Sequence, residues 1–293
     1  GVSMMSELDE FRAEVLEAAR LSDVAVSAGV DRGTLSTNVR TALGEAEFTL
    51  RMLSPHRDRR LRLLEFGSGL GITSAFLASR GFDITSIEPG GSGFEDNERI
   101  NPALRASLGI DHPHRHVAVE TVTVSDLGGR FDLIFSNNVL EHVDDVGAAL
   151  DALDALLSRD GMMIHHCPNY TVPFEPHFGV PLVPGAPERT AALLPDRISS
   201  TGLWASLNFV TASDIRRIGR RHGATVVLQD GLLADSVQRL TEPEFGQRHP
   251  GLRRVARLVE PLLPLVRRIP ASYATPMVFT WQHHGAAAAA TTE

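Results

Sequence analysis

The sequence lacks several residues that particular functions require. All 28 basic residues are arginine. No lysine is therefore present to form a Schiff base, to act as a general base or to bind the phosphates of a nucleotide in a P-loop. Cys167 is the single cysteine, which excludes an internal disulfide bond and favours a reducing compartment. No apolar run is long enough to cross a bilayer.

The charge balance narrows the choice of partners. The formal net charge is −8, so there is no basic excess for binding a phosphate backbone, and we expect no nucleic-acid partner. The first ten residues do not have the layout of a signal peptide, and we expect a cytoplasmic protein. Residues 251–268 form a basic amphipathic stretch. We expect it to pack on its own domain or on the partner in a homodimer, with contact to a membrane surface as the less favoured alternative.

Short apolar runs alternate with helical patterns between residues 60 and 284, which predicts an α/β fold. This order favours a mostly parallel sheet with helices on both faces. The predicted strands are 61–66, 83–87, 115–121, 131–136, 162–166, 224–228 and 276–282. The predicted helices are 6–20, 40–53, 73–80, 94–108, 146–157 and 211–222.

The chain divides into three predicted parts. Residues 1–58 form an N-terminal helical cap, 59–284 one α/β domain, and 285–293 a tail that we expect to be disordered. Two stretches are additional to the alternating strands and helices of a minimal α/β domain. Residues 168–210 are rich in proline and aromatic side chains, which indicates an ordered lid, and residues 232–270 are predicted to be a helical insertion.

The most informative segment, residues 63–72, reads L-L-E-F-G-S-G-L-G-I. A buried strand, a glycine turn and a helix start allow a ligand to approach the backbone and meet free N–H groups. Glu88 ends the next strand, where a carboxylate suits a ribose diol. We therefore predict a site for a nucleoside-type cofactor. The spacing G-x-G-x-G differs from the dinucleotide fingerprint, so a nicotinamide oxidoreductase is a weaker alternative.

A third element supports this interpretation. Residues 131–143 read F-D-L-I-F-S-N-N-V-L-E-H-V, a strand that ends in polar residues where open α/β sheets bind ligands. Together with the glycine turn and Glu88, this segment resembles the class I S-adenosylmethionine (SAM) dependent methyltransferases with small-molecule acceptors. The resemblance implies a Rossmann-like fold with seven strands, SAM as cofactor and S-adenosylhomocysteine as product.

The resemblance also implies which residues bind the cofactor. Gly67, Ser68 and Gly69 would face the methionine part, and Glu88 would bind the ribose hydroxyls. Glu120 or Thr121 would flank the adenine, although the acid-then-small pair usual in the third motif of the family is replaced here. The full predicted set is Glu65, Gly67, Ser68, Gly69, Gly71, Glu88, Glu120, Thr121 and Asn137, the last through its backbone.

Methyl transfer to a hydroxyl requires that a base remove the proton, and histidine suits this role near neutral pH. We predict His142, His166 and His177 as candidate catalytic residues. Successive strand residues point to opposite faces, so at most one of His165 and His166 lines the pocket, and His166 lies closer to the strand's carboxyl end.

The remaining histidines raise the question of a metal. His112, His114 and His116 alternate like strand or loop residues, with no carboxylates in register beside them. Metal sites in proteins combine such ligands in close sets. We therefore expect no metal site.

Residues 167–170 and 173–181 resemble a segment of bacterial methyltransferases that are associated with surface-polysaccharide and sugar-modifying genes. That resemblance, and the aromatic content of the lid, predict an acceptor pocket in which flat rings contact the ligand. The candidate acceptor-binding residues are Asn138, Asn169, Tyr170, Phe174, Glu175 and Phe178. We predict O-methylation of a small hydroxylated acceptor, such as a sugar or glycan end. N- or C-methylation of a small metabolite, or a non-catalytic SAM-binding module, are the alternatives.

Overall fold

The computed structural model describes residues 3–91, 93–198, 202–241 and 250–283. The predicted tail 285–293 lies outside the described residues, as do 199–201 of the predicted lid and 242–249 of the predicted insertion. The strands are β1 Arg62–Phe66, β2 Asp83–Ile87, β3 His114–Arg115, β4 Phe131–Asn137, β5 Leu157–Cys167, β6 Phe174–Glu175, β7 Val180–Pro181, β8 Ala224–Leu228 and β9 Met277–His283.

Seven of these strands form one sheet in the order β3-β2-β1-β4-β5-β9-β8. The pairs among the first five are parallel, whereas β9 runs antiparallel to both of its neighbours. Strands β6 and β7 pair separately, within the predicted lid. The predicted Rossmann-like, mostly parallel seven-stranded sheet is confirmed.

The helices are α1 Met4–Val15, α2 Ala18–Ala28, α3 Arg32–Met52, α4 Ile72–Ser79, α5 Glu95–Leu108, α6 Val146–Leu156, α7 Thr190–Leu193, α8 Gly202–Ser206, α9 Ala212–Arg221, α10 Leu232–Thr241, α11 Pro250–Val259 and α12 Leu263–Val266. Short 3₁₀ turns include Val119–Thr121, Leu140–His142 and Glu260–Leu262. The predicted insertion is therefore mostly helical where it is described, and it ends in a non-helical turn at 267–270. Thr211 is the N-cap of α9 and forms a capping box with Asp214.

Helices cover both faces of the sheet because neighbouring strand residues enter different cores. Leu63 and Leu133 belong to one core, together with buried residues of α1 to α5. Leu64 and Ile134, which follow them directly, belong to the other core with α6 and α9. This alternation is the period of two that a strand imposes on its side chains.

The N-terminal helices share the first of these cores with the sheet. The prediction of one helix over 6–20 was wrong, because α1 ends at Val15 and the backbone is extended at Glu17 before α2. The break lets the apolar stripes of both helices reach the core. Helix α3 begins earlier than predicted, where the carboxylate of Asp31 accepts a hydrogen bond from the Thr34 N–H (2.9 Å).

The predicted strand 115–121 was also wrong. Only His114 and Arg115 pair with β2, and the chain then forms the 3₁₀ turn Val119–Thr121. Val119 is buried in the second core, so the turn satisfies the apolar pattern that the sequence offered to a strand. Edge strands are often this short.

Candidate active site

The loop between β1 and α4 is shaped by its three glycines. Gly67, Gly69 and Gly71 all have positive φ, at 78°, 55° and 79°, a region that side chains other than glycine rarely adopt. A Cβ at Gly67 would lie 2.2 Å from a methyl carbon of Val139. A Cβ at Gly69 would meet no atom closer than 3.9 Å. The loop is therefore packed tightly at Gly67 and open at Gly69.

A cavity lies against this loop at the carboxyl edge of the sheet. Ser68 is almost fully buried, and its hydroxyl has no hydrogen-bond partner among the described residues. A buried polar atom without a partner is costly, so this hydroxyl is suited to a polar ligand. The cavity is lined by Ala42, Glu45, Thr49, Glu65, Gly67, Ser68, Gly69, Leu70, Ile72, Thr73, Phe135 and Asn137.

Two of the three acids predicted for the cofactor site, Glu65 and Glu88, have different surroundings. Glu65 accepts a hydrogen bond from the Ser74 hydroxyl (2.7 Å), and burial raises its pKa to about 8, so this carboxyl is mostly protonated at neutral pH. Glu88 follows β2 and accepts hydrogen bonds from the N–H groups of Gly69 and Gly90. Burial raises the pKa of Glu88 as well. Glu65 thus lines the cavity, whereas Glu88 is not among the lining residues and is connected to them through its hydrogen bond from the Gly69 N–H.

Glu120 and Thr121 lie on the 3₁₀ turn, where both are exposed. The Thr121 hydroxyl donates to the carbonyl of Ala118 (2.7 Å). Neither residue is among those that line the cavity. Their predicted contact with adenine remains a prediction.

Strand β5 separates its two histidines as the strand period requires. His165 is fully buried, bonded to Ser136 (2.6 Å) and packed against Phe279. His166 instead lies beside Asn137, with Nδ1 2.7 Å from the amide oxygen. Because an amide oxygen only accepts, Nδ1 carries the proton and Nε2 holds the lone pair. Burial and the charge of Arg239 lower the pKa of His166 to about 4.

The lid holds a second histidine in a different electrostatic setting. His177 Nδ1 lies 2.5 Å from Glu175 Oε1, and the Tyr170 hydroxyl donates to the same oxygen (3.1 Å). The Phe178 N–H donates to the other oxygen (2.7 Å). Burial opposes ionisation of both Glu175 and His177, but their mutual hydrogen bond, together with further hydrogen bonds and nearby charges, outweighs it. The pKa of Glu175 is therefore lowered and that of His177 is raised. A carboxylate that fixes an imidazole in this way is the geometry of a general base.

A residue that the sequence reasoning missed completes this group. Glu141 is fully buried, and neither carboxylate oxygen has a hydrogen-bond partner in the described part of the chain. Its Oε1 lies 3.7 Å from His142 Nε2 and 3.8 Å from His177 Nε2. Burial raises the pKa of Glu141 to about 7. The three side chains also offer ligand atoms within 4.8 Å of one another, a spacing that one metal ion could bridge.

The third candidate histidine, His142, is held in place by a hydrogen bond at Nδ1. Its Nδ1 lies 2.8 Å from the Ser206 hydroxyl, which itself donates to the carbonyl of Leu203. Nδ1 therefore carries the proton and Nε2 faces Glu141. Burial, and then the charge of His177, lower the pKa of His142 to about 4.

The predicted acceptor-binding residues differ in burial: Asn169 and Tyr170 are buried, whereas Phe178 is half-buried. Asn169 is fully buried, and its amide donates to two carbonyls and accepts from two N–H groups, which leaves it no group for an acceptor. Tyr170 is also turned inward, where it supports Glu175. Phe178 is half-buried against Trp204 of α8 (5.7 Å between centroids), which the sequence reasoning did not single out.

Asn138 and Phe174 are the two remaining candidates for binding the acceptor. Asn138 has a positive φ of 56°, and its N–H donates to the His166 carbonyl (2.8 Å). Phe174 is half-buried on β6. Binding of the acceptor by these two residues remains a prediction.

The sheet order, the glycine loop and the acid after β2 define the class I SAM-dependent methyltransferases. The chain belongs to the methyltransferase domain family, whose model matches residues 40–229. The enzymes of this class use SAM and release S-adenosylhomocysteine. The residues present fit that cofactor, because the unpartnered Ser68 hydroxyl and the open face at Gly69 border one cavity.

The chain is also similar to several individual proteins. An uncharacterized protein of Mycobacterium tuberculosis is 32% identical over 195 residues, which cover 64% of this chain and 65% of that protein. A ubiquinone biosynthesis O-methyltransferase of Nitrobacter winogradskyi is 31% identical over 173 residues, covering 59% and 60%. The chain thus spans less than two thirds of the length of these relatives. The crystal structure of a SAM-dependent methyltransferase from Mesorhizobium loti shares the fold, with a TM-score of 0.51 and 15% identity, over 83% of this chain and 100% of that one.

Proposed function

We propose that this methyltransferase methylates a hydroxyl group of a small acceptor, such as a sugar or glycan end, and that His177 is the general base. The observation that carries the proposal is the Glu175–His177 pair in the lid, joined at 2.5 Å. The similarity to an enzyme named as an O-methyltransferase supports transfer to oxygen.

When bound, SAM supplies a methyl group already activated by a sulfonium. The chain must then orient the acceptor and take its proton. Glu175 holds the proton on His177 Nδ1, so the neutral ring presents the lone pair of Nε2. The proton of the acceptor hydroxyl moves to this nitrogen. His166 and His142 are less suited to this step, because pKa values of about 4 make them weak bases.

The pH dependence provides a test of the base. Since the pKa of His177 is raised and the base must be neutral, we expect the rate to increase with pH through a value above 6.5. Glu175→Gln removes the charge that raises this pKa, so the rise of the rate with pH should move to lower pH. Proton NMR titration of the His177 ring measures the same shift without an acceptor. If the pH–rate profile and the His177 ring pKa of Glu175→Gln both match those of wild type, Glu175 does not assist the base.

We propose that Glu88 binds the ribose hydroxyls of SAM, as the resemblance implied. Glu88→Ala is expected to weaken SAM binding by roughly 1–3 kcal/mol, the cost of leaving hydroxyl groups unpaired. Calorimetric titration measures this loss, and Glu10→Ala, an exposed acid on α1, is the matched control. Equal affinities in wild type and Glu88→Ala would reject the ribose role.

Metal removal separates a histidine base from a metal centre at Glu141, His142 and His177. If the side chains act without a metal, treatment with a chelator leaves the methylation rate unchanged. The assay compares turnover before and after exhaustive chelation. A loss of turnover that Mg²⁺ or Zn²⁺ restores would contradict our expectation of no metal and assign these residues as ligands.

A second candidate reaction is N-methylation of an amine. Glu45, Glu141 and Glu175 all lie close enough to His177 to influence its pKa. Such a cluster of acids favours the binding of a protonated amine, which must lose one proton to the base before its nitrogen lone pair can accept the methyl group. Mass spectrometry after incubation with SAM and matched sugars, phenols and amines distinguishes the two reactions. Product with hydroxylated compounds alone supports O-methylation, whereas product with amines alone supports N-methylation.

A further inference from the structure

Five large apolar side chains are exposed along the helical insertion. They follow one another at alternating intervals of three and four residues, and they lie on α11, on the 3₁₀ turn Glu260–Leu262, on α12 and in the turn that follows it. Their exposed fractions range from 36% to 78%, so each of them leaves more than a third of its surface accessible to solvent. This exposed stripe consists of Val255, Leu258, Leu262, Leu265 and Ile269.

The insertion is held in place from its opposite side. Ala256 of α11 is buried, and Arg267 forms an ion pair with Asp235 of α10 (2.8 Å). Leu232, also on α10, belongs to the first core. The stripe therefore points outward from a segment that is anchored to the domain.

The charge around the stripe is opposite to that of the whole chain. Residues 250–270 contain five arginines and one acid, Glu260, whereas the chain carries a net charge of −8. Arg254, Arg257 and Arg268 are exposed beside the stripe. A surface that combines exposed apolar residues with arginines is complementary to the headgroups and acyl boundary of an anionic bilayer.

We propose that the exposed stripe and its arginines form a peripheral binding surface for anionic phospholipid membranes. No helix in the described ranges is long and apolar enough to span a bilayer, so the insertion would lie in the plane of the interface. A second copy of the chain is the rival occupant. Self-pairing would bring two strongly positive faces together, whereas an anionic bilayer neutralises them.

The test is co-sedimentation of the full chain with vesicles. Wild type should bind vesicles of equal parts phosphatidylglycerol and phosphatidylcholine, bind pure phosphatidylcholine weakly, and lose binding as salt is added. Leu258→Ser/Leu265→Ser should lower binding at least about tenfold. Arg254→Gln/Arg257→Gln/Arg268→Gln should lower it about fivefold per arginine.

Matched controls distinguish this surface from general hydrophobicity and charge. Val26→Ser/Leu193→Ser changes two exposed apolar residues elsewhere, and Arg32→Gln/Arg40→Gln two exposed arginines on α3. These controls should bind as wild type does, and all variants should keep their melting temperature. The proposal fails if wild type ignores anionic vesicles or if the controls lose binding equally. It also fails if light scattering shows a dimer that Leu258→Ser/Leu265→Ser dissociates while neither form binds vesicles.

Discussion

His177→Ala is expected to lower kcat by about a hundredfold to ten-thousandfold, the usual contribution of general acid–base catalysis. The affinity for SAM should change little, because His177 lies in the lid and is bonded to Glu175, whereas Glu88 is bonded to the glycine loop itself. Turnover with an accepted substrate and calorimetric SAM binding measure the two quantities separately.

Two further histidine variants make this result specific. His166→Ala should reduce turnover less, because its low pKa makes His166 a poor base. His56→Ala, a half-buried histidine after α3, should leave turnover unchanged. The assignment of the base is wrong if His177→Ala retains wild-type kcat, or if His166→Ala causes the larger loss.

Gly67→Ala is expected to have the second large effect, on binding and stability together. The alanine must adopt a φ of 78° and place its Cβ 2.2 Å from Val139. Positive φ costs about 1–2 kcal/mol and overpacking a further 1–3 kcal/mol, so the combined cost is roughly 2–5 kcal/mol. Denaturant unfolding and titration with S-adenosylhomocysteine measure this cost in the free and bound protein.

A double variant separates the two causes. Val139→Ala removes the methyl groups that the new Cβ would meet, so Gly67→Ala/Val139→Ala should recover the packing part of the loss. The backbone part should remain. If Val139→Ala restores nothing, the steric explanation for Gly67 is incorrect.

The sequence was most informative where local rules decide the structure. The strand period of two predicted the separation of His165 from His166, and the need for positive φ marked the glycine loop. The helix predicted over 211–222 is close to the observed Ala212–Arg221, because its capping by Thr211 depends on only a few neighbouring residues. These features do not require knowledge of distant contacts.

The features that the sequence did not reveal depend on tertiary packing. Glu45 and Thr49 reach the cavity only because α3 packs against the sheet edge. Glu141 lies within the motif V-L-E-H, and its position directly after the apolar pair Val139 and Leu140 was the available signal for a buried carboxylate. Asn169 was misleading, because its predicted exposure to an acceptor is replaced by four hydrogen bonds within the chain.

The most direct test of the account is calorimetric titration of the purified chain with S-adenosylhomocysteine. We predict one binding site, weakened in Gly67→Ala and Glu88→Ala and unchanged in His177→Ala, because the cavity at the glycine loop and the proton acceptor in the lid are separate. Failure of the wild-type chain to bind this ligand, or equal binding by Gly67→Ala, would contradict the cofactor site on which the mechanism depends.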